Sequence, residues 1–495
     1  MGNTKWTNEQ WDAITDRSGN LLVAAAAGAG KTAVLVERII RMITAPHEPV
    51  DIDRLLVVTF TNAAATEMRE RIADAISQAL EREPDNRQLQ RQMTLLGKAC
   101  ITTIHSFCLE VIRSNFQYLD IDPNFRIADE TESTLMKLEA LDEVFEEQYE
   151  RNDNREFLEL LDSYGGNRDD RILMEMVFSL YNFVQSSPWP EERLKEMVQD
   201  FSVPEDTDFA STPWGSVLLD VARAETEGLR EMAAQALAIS RDASGLEKYV
   251  SVLQEDLGRL DALLNLIPPS KSNKDGCTPS DSVWDRIFGL VSNFDFGRMP
   301  TLGRDADKTA REKVKKLRDQ VKAGIKRLQE RIFTAGSSQI VKELNSLHPK
   351  MNCLAGLALE LAEKYSEKKS QKGIVDFNDL EHLCLSLLCT RDENGNLVPS
   401  DIAASYRERF TEVMVDEYQD SNLVQETIIR MISREQDGKP NVFMVGDVKQ
   451  SIYRFRQARP EIFMEKYNTY STEKGSPYRK ILLYRNFRSR KEVID

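Results

Sequence analysis

The sequence predicts an α/β protein, a parallel sheet covered by helices on both faces and interrupted by a large all-α insertion. Six short β-branched or Leu-rich runs carry the first part of that prediction: Leu21–Val23, Leu55–Thr59, Ile101–Thr103, Val413–Val415, Val442–Val445 and Ile481–Leu483. Each is followed by a turn and then by a segment of helical period, the alternation of strands joined by crossover helices. The alternation stops between Asp129 and about Gly373. That stretch holds charged amphipathic segments such as Leu135–Tyr149, Ala222–Ser240 and Lys308–Ile332, broken by turns such as Pro268-Pro269-Ser270-Lys271. The expected organisation is therefore an α/β domain in two parts, 1–128 and 373–462, an inserted helical domain at 129–372, and the start of a further domain at 463–495.

With 495 residues, 41% of them hydrophobic, the chain can build more than one core. No run approaches the ~18 apolar residues that span a bilayer. The polar start Met1-Gly2-Asn3-Thr4-Lys5-Trp6 lacks the apolar core of a signal peptide, so the cytoplasm is the expected compartment. The cysteines (Cys100, Cys108, Cys277, Cys353, Cys384, Cys389) are scattered without a C-x-x-C pair and read as reduced thiols. A net charge of −16 argues against a protein that coats nucleic acid electrostatically. A local basic groove stays compatible with acidic outer faces, and the acid is concentrated between Asp129 and Glu150. The charge run from Lys364 to Gly373 reads as a solvated helix end.

The chemistry begins where the first strand runs into Ala25-Ala26-Ala27-Gly28-Ala29-Gly30-Lys31-Thr32. This is a phosphate-binding loop with alanine in place of the usual first glycine. Small residues let backbone N–H groups approach phosphate oxygens, Lys31 reaches the β/γ-phosphates, and Thr32 offers a hydroxyl to Mg²⁺. In the helix that follows, Ala33, Val36, Ile40 and Ile43 are expected to face the sheet, with Glu37, Arg38 and Arg41 outward. The second half of the site is Asp416-Glu417-Tyr418-Gln419-Asp420, directly after an apolar strand. A carboxylate at the C-terminal end of a parallel strand sits where ligands bind, so Asp416 is expected in the Mg²⁺ shell. Glu417 is placed to orient or deprotonate an attacking water.

The order of these motifs resembles superfamily 1 helicases of the UvrD/PcrA/RecB kind. The resemblance implies a RecA-like P-loop NTPase domain (1A), a helical domain inserted in it (1B) and the start of a second RecA-like domain (2A). It also assigns further residues. Thr7-Asn8-Glu9-Gln10 is similar to the adenine-reading Q motif, with Gln10 making two hydrogen bonds to the base. Phe60, Thr61 and Asn62 fall in a motif Ia, where an aromatic and small polar groups suit single-stranded DNA. His105 and Ser106 fall in a motif Ib that touches the DNA backbone. In motif III, Gln450 senses the γ-phosphate while Tyr453 and Phe455 stack on bases, and Arg456 resembles the arginine paired with the acidic motif II. Arg488 of Tyr484-Arg485-Asn486-Phe487-Arg488 resembles the motif IV arginine finger, crossing from the second motor domain. A structural histidine at position 105 and a buried aromatic pair at 453 and 455 are the plainer alternatives.

Within the superfamily, Lys5-Trp6-Thr7, Thr61-Asn62-Ala63-Ala64-Ala65 and the stretch from Asp122 to Glu130 resemble the AddA (RexA) members of bacterial helicase–nucleases. Ile374-Val375-Asp376-Phe377-Asn378-Asp379-Leu380 is shared with RecB and UvrD relatives and does not choose among them. The resemblance covers roughly residues 4–128 and 374–495. It implies a 3′→5′ DNA helicase using ATP and Mg²⁺, acting on single- and double-stranded DNA ends for homologous recombination with an AddB (RexB)-like partner. AddA proteins continue into motifs V and VI and a nuclease domain, so the sequence reads as an N-terminal fragment. On that reading Ile481–Leu483 has no sheet to join, and the chain beyond about Glu461 is expected to be poorly packed. A stand-alone UvrD/PcrA-like repair helicase would share every residue named. A non-motor ATP-dependent DNA clamp would have no use for Gln450, Tyr453 and Phe455.

Overall fold

A computed structural model of the chain describes residues 6–165, 169–269, 282–303, 306–393, 395–451 and 457–487. The six expected strands form one sheet, as Asn20–Ala25, Leu55–Thr59, Cys100–Thr103, Glu412–Val415, Val442–Gly446 and Tyr478–Leu483. Across the sheet they run 478–483, 20–25, 442–446, 412–415, 55–59, 100–103, and every pairing is parallel. The strands look continuously apolar because both faces are buried. Leu21, Val23, Leu55, Val57, Met414, Phe443 and Val445 point into one core. Their neighbours Leu22, Leu56, Val58, Val413, Val415, Val442 and Met444 point into the other, the period-two alternation of a pleated strand.

Helices Asn8–Thr15, Lys31–Ile43, Asn62–Arg82 and Arg87–Leu95 supply the first core. Helices Ile104–Ser114, Phe377–Leu388, Asp401–Arg409, Leu423–Ile432 and Pro460–Thr469 supply the second. The sheet unit takes in the described residues up to Asn154, Gly165–Arg193 and those from Leu357 on. Helices Glu130–Glu150 and Arg171–Val184 thus fall within it, although they lie in the inserted stretch.

Three expectations are corrected. The strand Tyr478–Leu483 does have a sheet to join: it pairs with Asn20–Ala25 from Asn20↔Tyr478 to Ala25↔Leu483. Its alternation buries Arg479, Ile481 and Leu483, and Arg479 donates to Asp12 at 2.8 Å and Asp16 at 2.6 Å on and just after the first helix. Ile462 and Phe463 of the preceding helix lie in the second core. Residues 463–487 are therefore packed against the first sheet and do not open a separate domain.

In the helix after the loop, Ala33 is exposed while Val34, Leu35, Arg38, Ile39, Met42 and Ile43 are buried. A helix flanked by sheet and by a second helix buries more than one stripe. Arg38, expected outward, is enclosed with Glu412. The charge run near 370 is only partly solvated. Lys369 pairs with Asp379 at 2.5 Å, and the buried Tyr365 hydroxyl donates to the buried Asp376 at 3.0 Å, the N-cap of the next helix.

The helical unit comprises Arg155–Tyr164 and Leu194–Gly356. Its core is built on Trp284, whose ring lies 4.7 Å from Phe209 and 4.9 Å from Phe333 and whose indole N–H donates to Ala335 O at 3.0 Å. Helices Pro213–Asp242 and Lys308–Arg331 approach closely at Gly324, where a Cβ would stand 2.3 Å from Leu229. A buried Arg318–Asp256 pair at 2.6 Å completes the packing. Among the described residues no helix is long and apolar enough to cross a membrane.

Candidate functional site

Because all strands of the sheet are parallel, their C-terminal ends lie along one edge, and all but one of the described candidate residues follow those ends. Across that edge come the loop 26–30, the segment 447–451, the acidic turn 416–420, then Phe60–Asn62, then His105 and Ser106. The phosphate loop and the DNA-contact candidates stand on opposite halves, with the acidic and motif III segments between them.

The loop is shaped by two glycines with positive φ, Gly28 at 74° and Gly30 at 83°, a region that L side chains avoid. It is also tied down: Ala29 N donates to Ala26 O (3.0 Å), Ala26 N to Leu483 O (3.2 Å) and Phe487 N to Gly28 O (2.8 Å). Ala26 and Ala27 are exposed at its tip, Ala25 ends the strand, and Thr32 is half-buried beside Lys31. The remaining candidate, Gln10, lies on the first helix, buried, and its amide is already in use. Its Oε1 accepts from Thr7 N at 3.0 Å in a capping box, and its Nε2 donates to Ala29 O at 3.1 Å. Gln10 thus holds the loop as well as bordering a cavity of about 90 Å³ lined by Thr7, Glu9, Ala29, Leu483, Tyr484, Arg485 and Phe487.

Lys31, the first residue of its helix, reaches Glu417 Oε2 at 2.9 Å. Asp416 precedes Glu417 at the strand end, fixed by its N–H to Val58 O at 2.9 Å. Burial first, and the neighbouring Glu417 second, push the Asp416 carboxyl up to about 6. Glu417 itself sits at φ 50°, a strained conformation for a non-glycine residue at a working site. A buried carboxylate together with a threonine-bearing loop gives hard oxygen donors, the chemistry that Mg²⁺ prefers.

Gln419 joins this turn to the next segment. Its Nε2 donates to Glu417 Oε2 (2.9 Å) and Asp420 Oδ2 (3.2 Å), while its Oε1 accepts from Asp447 N (2.9 Å). Asp447 in turn accepts from Gln450 Nε2 at 2.6 Å, so Gln450 is held by the carboxylate three residues before it.

At the DNA-contact half, Phe60 is half-buried, Asn62 is exposed, and the Thr61 hydroxyl caps its helix by accepting from Ala64 N at 3.1 Å. Ser106 is exposed and bonded to the Thr103 hydroxyl at 2.9 Å. His105 is half-buried: Nε2 lies 3.1 Å from Glu381 Oε1, and the ring packs edge-on to Phe377 at 5.1 Å. Burial alone would raise Glu381, but hydrogen bonds from His105, Gln425 and Asn422 outweigh it and hold the carboxylate below its usual range. The stretch 374–380 now has a physical role. Ile374–Val375 pairs with Arg126–Ile127, Asp376 and Asp379 form a capping box, and the helix so started presents Glu381 to His105. Tyr453, Phe455, Arg456 and Arg488 lie outside the described residues.

Sequence reasoning missed Gln419, Tyr484, Arg485 and Phe487. The last three are legible as neighbours of Arg488; Gln419 has only its place inside the acidic motif as a signal.

The family model described as the UvrD/REP helicase N-terminal domain matches residues 6–471. The chain is 65% identical over 492 residues to the AddA protein of the ATP-dependent helicase/nuclease of Acetivibrio thermocellus, covering 99% of this chain and 38% of that protein. It is 54% identical over 496 residues to the protein of the same name from Ruminiclostridium cellulolyticum, and 47% identical over 506 residues to that of Clostridium acetobutylicum, covering 39% of each. The chain thus spans about two-fifths of the length of these relatives. With the family match running from the first helix across the whole sheet edge and on past the 447–451 segment, the chain belongs to the UvrD/REP helicase family.

Proposed function

We propose that this chain is the nucleotide-hydrolysing, strand-tracking part of a 3′→5′ DNA helicase in a helicase–nuclease that processes double-strand breaks. The observation that carries the reading is the Lys31–Glu417–Gln419–Asp447–Gln450 chain of contacts, which ties the phosphate loop to the acidic turn and to motif III. In this reading the backbone of Ala26–Gly30 cradles the phosphates and Lys31 neutralises the β/γ oxygens. Glu417 takes the proton of the attacking water. Thr32 and Asp416 would hold Mg²⁺, which spreads the charge that develops on the phosphates. The cavity beside Gln10 takes the adenine, with Tyr484 and Phe487 as flat walls. Phe60, Thr61, Asn62, His105 and Ser106 face single-stranded DNA, joined by Tyr453 and Phe455; Arg456 and Arg488 serve the nucleotide.

The sheet unit corresponds to domain 1A and the helical unit to 1B, while domain 2A and the nuclease domain lie in the longer protein. An AddB-like protein is the expected partner, and the compartment is the cytoplasm. The test is strand displacement on a 3′-tailed duplex with ATP and Mg²⁺ by the full-length gene product, beside Glu417→Gln. Unwinding lost in the variant with nucleotide binding kept supports the reading; equal unwinding by both removes Glu417 from the chemistry.

A further inference from the structure

We infer that Gln419 is a positioning residue whose side-chain amide passes the state of the phosphate site to the 447–451 segment. The inference rests on the nucleotide-hydrolysing role proposed for Glu417. Gln419 is almost fully buried and uses both ends of its amide. The orientation of that amide is forced by chemistry. Asp447 N–H can only donate, so Oε1 must face it; the Glu417 and Asp420 carboxylates can only accept when ionised, so Nε2 must face them. Oxygen and nitrogen belong to one rigid plane, so any rotation that follows Glu417 also moves the atom holding Asp447.

The second observation is independent of those bonds. Gly446 ends its strand directly against the amide, and a Cβ there would stand 2.4 Å from Gln419 Oε1 and 3.0 Å from the Phe463 ring. The backbone is stripped to glycine at the point where the amide has to lie. Gly446 is not among the glycines with positive φ, so its need for glycine comes from this approach and not from a turn.

Lys31 and Gln419 donate to the same oxygen, Glu417 Oε2, each at 2.9 Å. Phosphate groups compete for the Lys31 ammonium, and whatever fraction of it they take weakens one of the two bonds on that oxygen. The Gln419 bond then sets where the carboxylate sits. Through Asp447 N–H, and from the Asp447 carboxylate to Gln450 at 2.6 Å, the same displacement reaches motif III. Motif III occupies the sheet edge between the phosphate loop and the acidic turn, and its strand leads straight into that segment.

The experiment uses the full-length gene product with an oligo(dT) probe. ATP hydrolysis is measured with and without the oligonucleotide, and oligonucleotide affinity is measured with ADP and with a non-hydrolysable ATP analogue. Gln419→Glu keeps the shape and the acceptor for Asp447 but replaces the donor with an oxygen facing two carboxylates. Gly446→Ala pushes the amide from the other side. Both are expected to lower the ratio of DNA-stimulated to basal hydrolysis by about tenfold and to flatten the nucleotide dependence of DNA affinity, with KM for ATP moving little. If Gly446→Ala does not fold, the isosteric Gln419→Glu alone decides. Wild-type stimulation ratios in the folded variants, or a lowered Tm with the ratio intact, overturn the inference. Glu417→Gln separates the two levels: if it hydrolyses ATP like wild type, the proposed role of Glu417 fails first; if it is inactive and Gln419→Glu remains coupled, only the relay fails.

Discussion

The helix Lys31–Ile43 and the strand Glu412–Val415 are bridged by two ion pairs, one toward each end of the strand, and the two pairs are built differently. Near the C-terminal end Lys31 meets Glu417 at 2.9 Å, with side chains 11% and 37% exposed. At the N-terminal end Arg38 meets Glu412 with side chains 0% and 6% exposed. Arg38 places its guanidinium fork on Glu412, donates to Ala13 O at 2.7 Å and lies 4.4 Å over the Phe443 ring. A flexible ammonium at a solvent-reached carboxylate is a bond that phosphate can displace. A planar cation enclosed in the core is not. Exposure and donor geometry, rather than the identity of the charges, separate a working contact from a brace.

The largest effect is expected from breaking the brace. Arg38→Met leaves Glu412 buried without its partner, and Glu412 Oε2 already has no hydrogen bond, so unfolding stability should fall by about 3–5 kcal/mol. The double variant Arg38→Met with Glu412→Leu should recover most of that loss, because two buried charges are removed together. Denaturant titrations of the three proteins check this; a double variant no better than the single would mean that Ala13 and Phe443, not Glu412, are what Arg38 serves. Next comes the working pair. Lys31→Ala should change stability by less than about 1 kcal/mol, since Glu417 is partly solvated, while cutting DNA-stimulated hydrolysis by about 10²–10³. Equal losses of stability in Lys31→Ala and Arg38→Met would erase the contrast between the two ends.

Asp416 sharpens the same contrast, because its charge is held at a cost. Its folded pKa of about 6 lies above the reference 3.8, so the penalty is absent at low pH, grows as pH rises from 3.8 to about 6, and is then constant. Asp416→Asn mimics the protonated form. It should therefore gain on the order of 2–3 kcal/mol at pH 7.5 while hydrolysis is lost, and the gain should shrink at pH 5. A gain independent of pH would show that the carboxylate is not the cause. The smallest effect is expected where exposure is intermediate: Arg479 at 8% with Asp12 at 22% and Asp16 at 11%. After allowance for solvent screening, Arg479→Met should cost about 1–2 kcal/mol. A cost as large as that of Arg38→Met would mean that partial exposure provides no relief.

The six strands are legible in the sequence because parallel strands buried on both faces leave short continuous apolar runs, and the phosphate loop and acidic turn are legible because each follows such a run. Arg38 misleads because a single helical stripe describes a helix packed on one neighbour, and this helix packs on two. The strand Tyr478–Leu483 looks partnerless because its partner, Asn20–Ala25, is remote in sequence, and no local pattern announces a pairing over that separation. His105 stands out from its place after a strand, yet what orients it, Glu381, is 276 residues away, in a helix whose start only the capping box of Asp376 and Asp379 hints at. Gln419 is invisible for the same reason: its meaning depends on Asp447 and on the bare backbone of Gly446.

The position of the first strand has a consequence for how the chain is made. Asn20–Ala25 lies between Val442–Gly446 and Tyr478–Leu483, so both of its neighbours are synthesised long after it. At roughly 5–20 residues per second, the ribosome needs on the order of 20–80 s after the phosphate-loop strand emerges before either partner exists. Throughout that interval Leu21, Leu22 and Val23 have no strand to pair with, whereas Leu55–Thr59 and Cys100–Thr103 can already pair with each other. The helical unit, whose residues lie wholly inside that window, is complete before the sheet can close. Nascent chains stalled near residue 430 should accordingly present a protected helical unit and a protease-sensitive, chaperone-binding N-terminus.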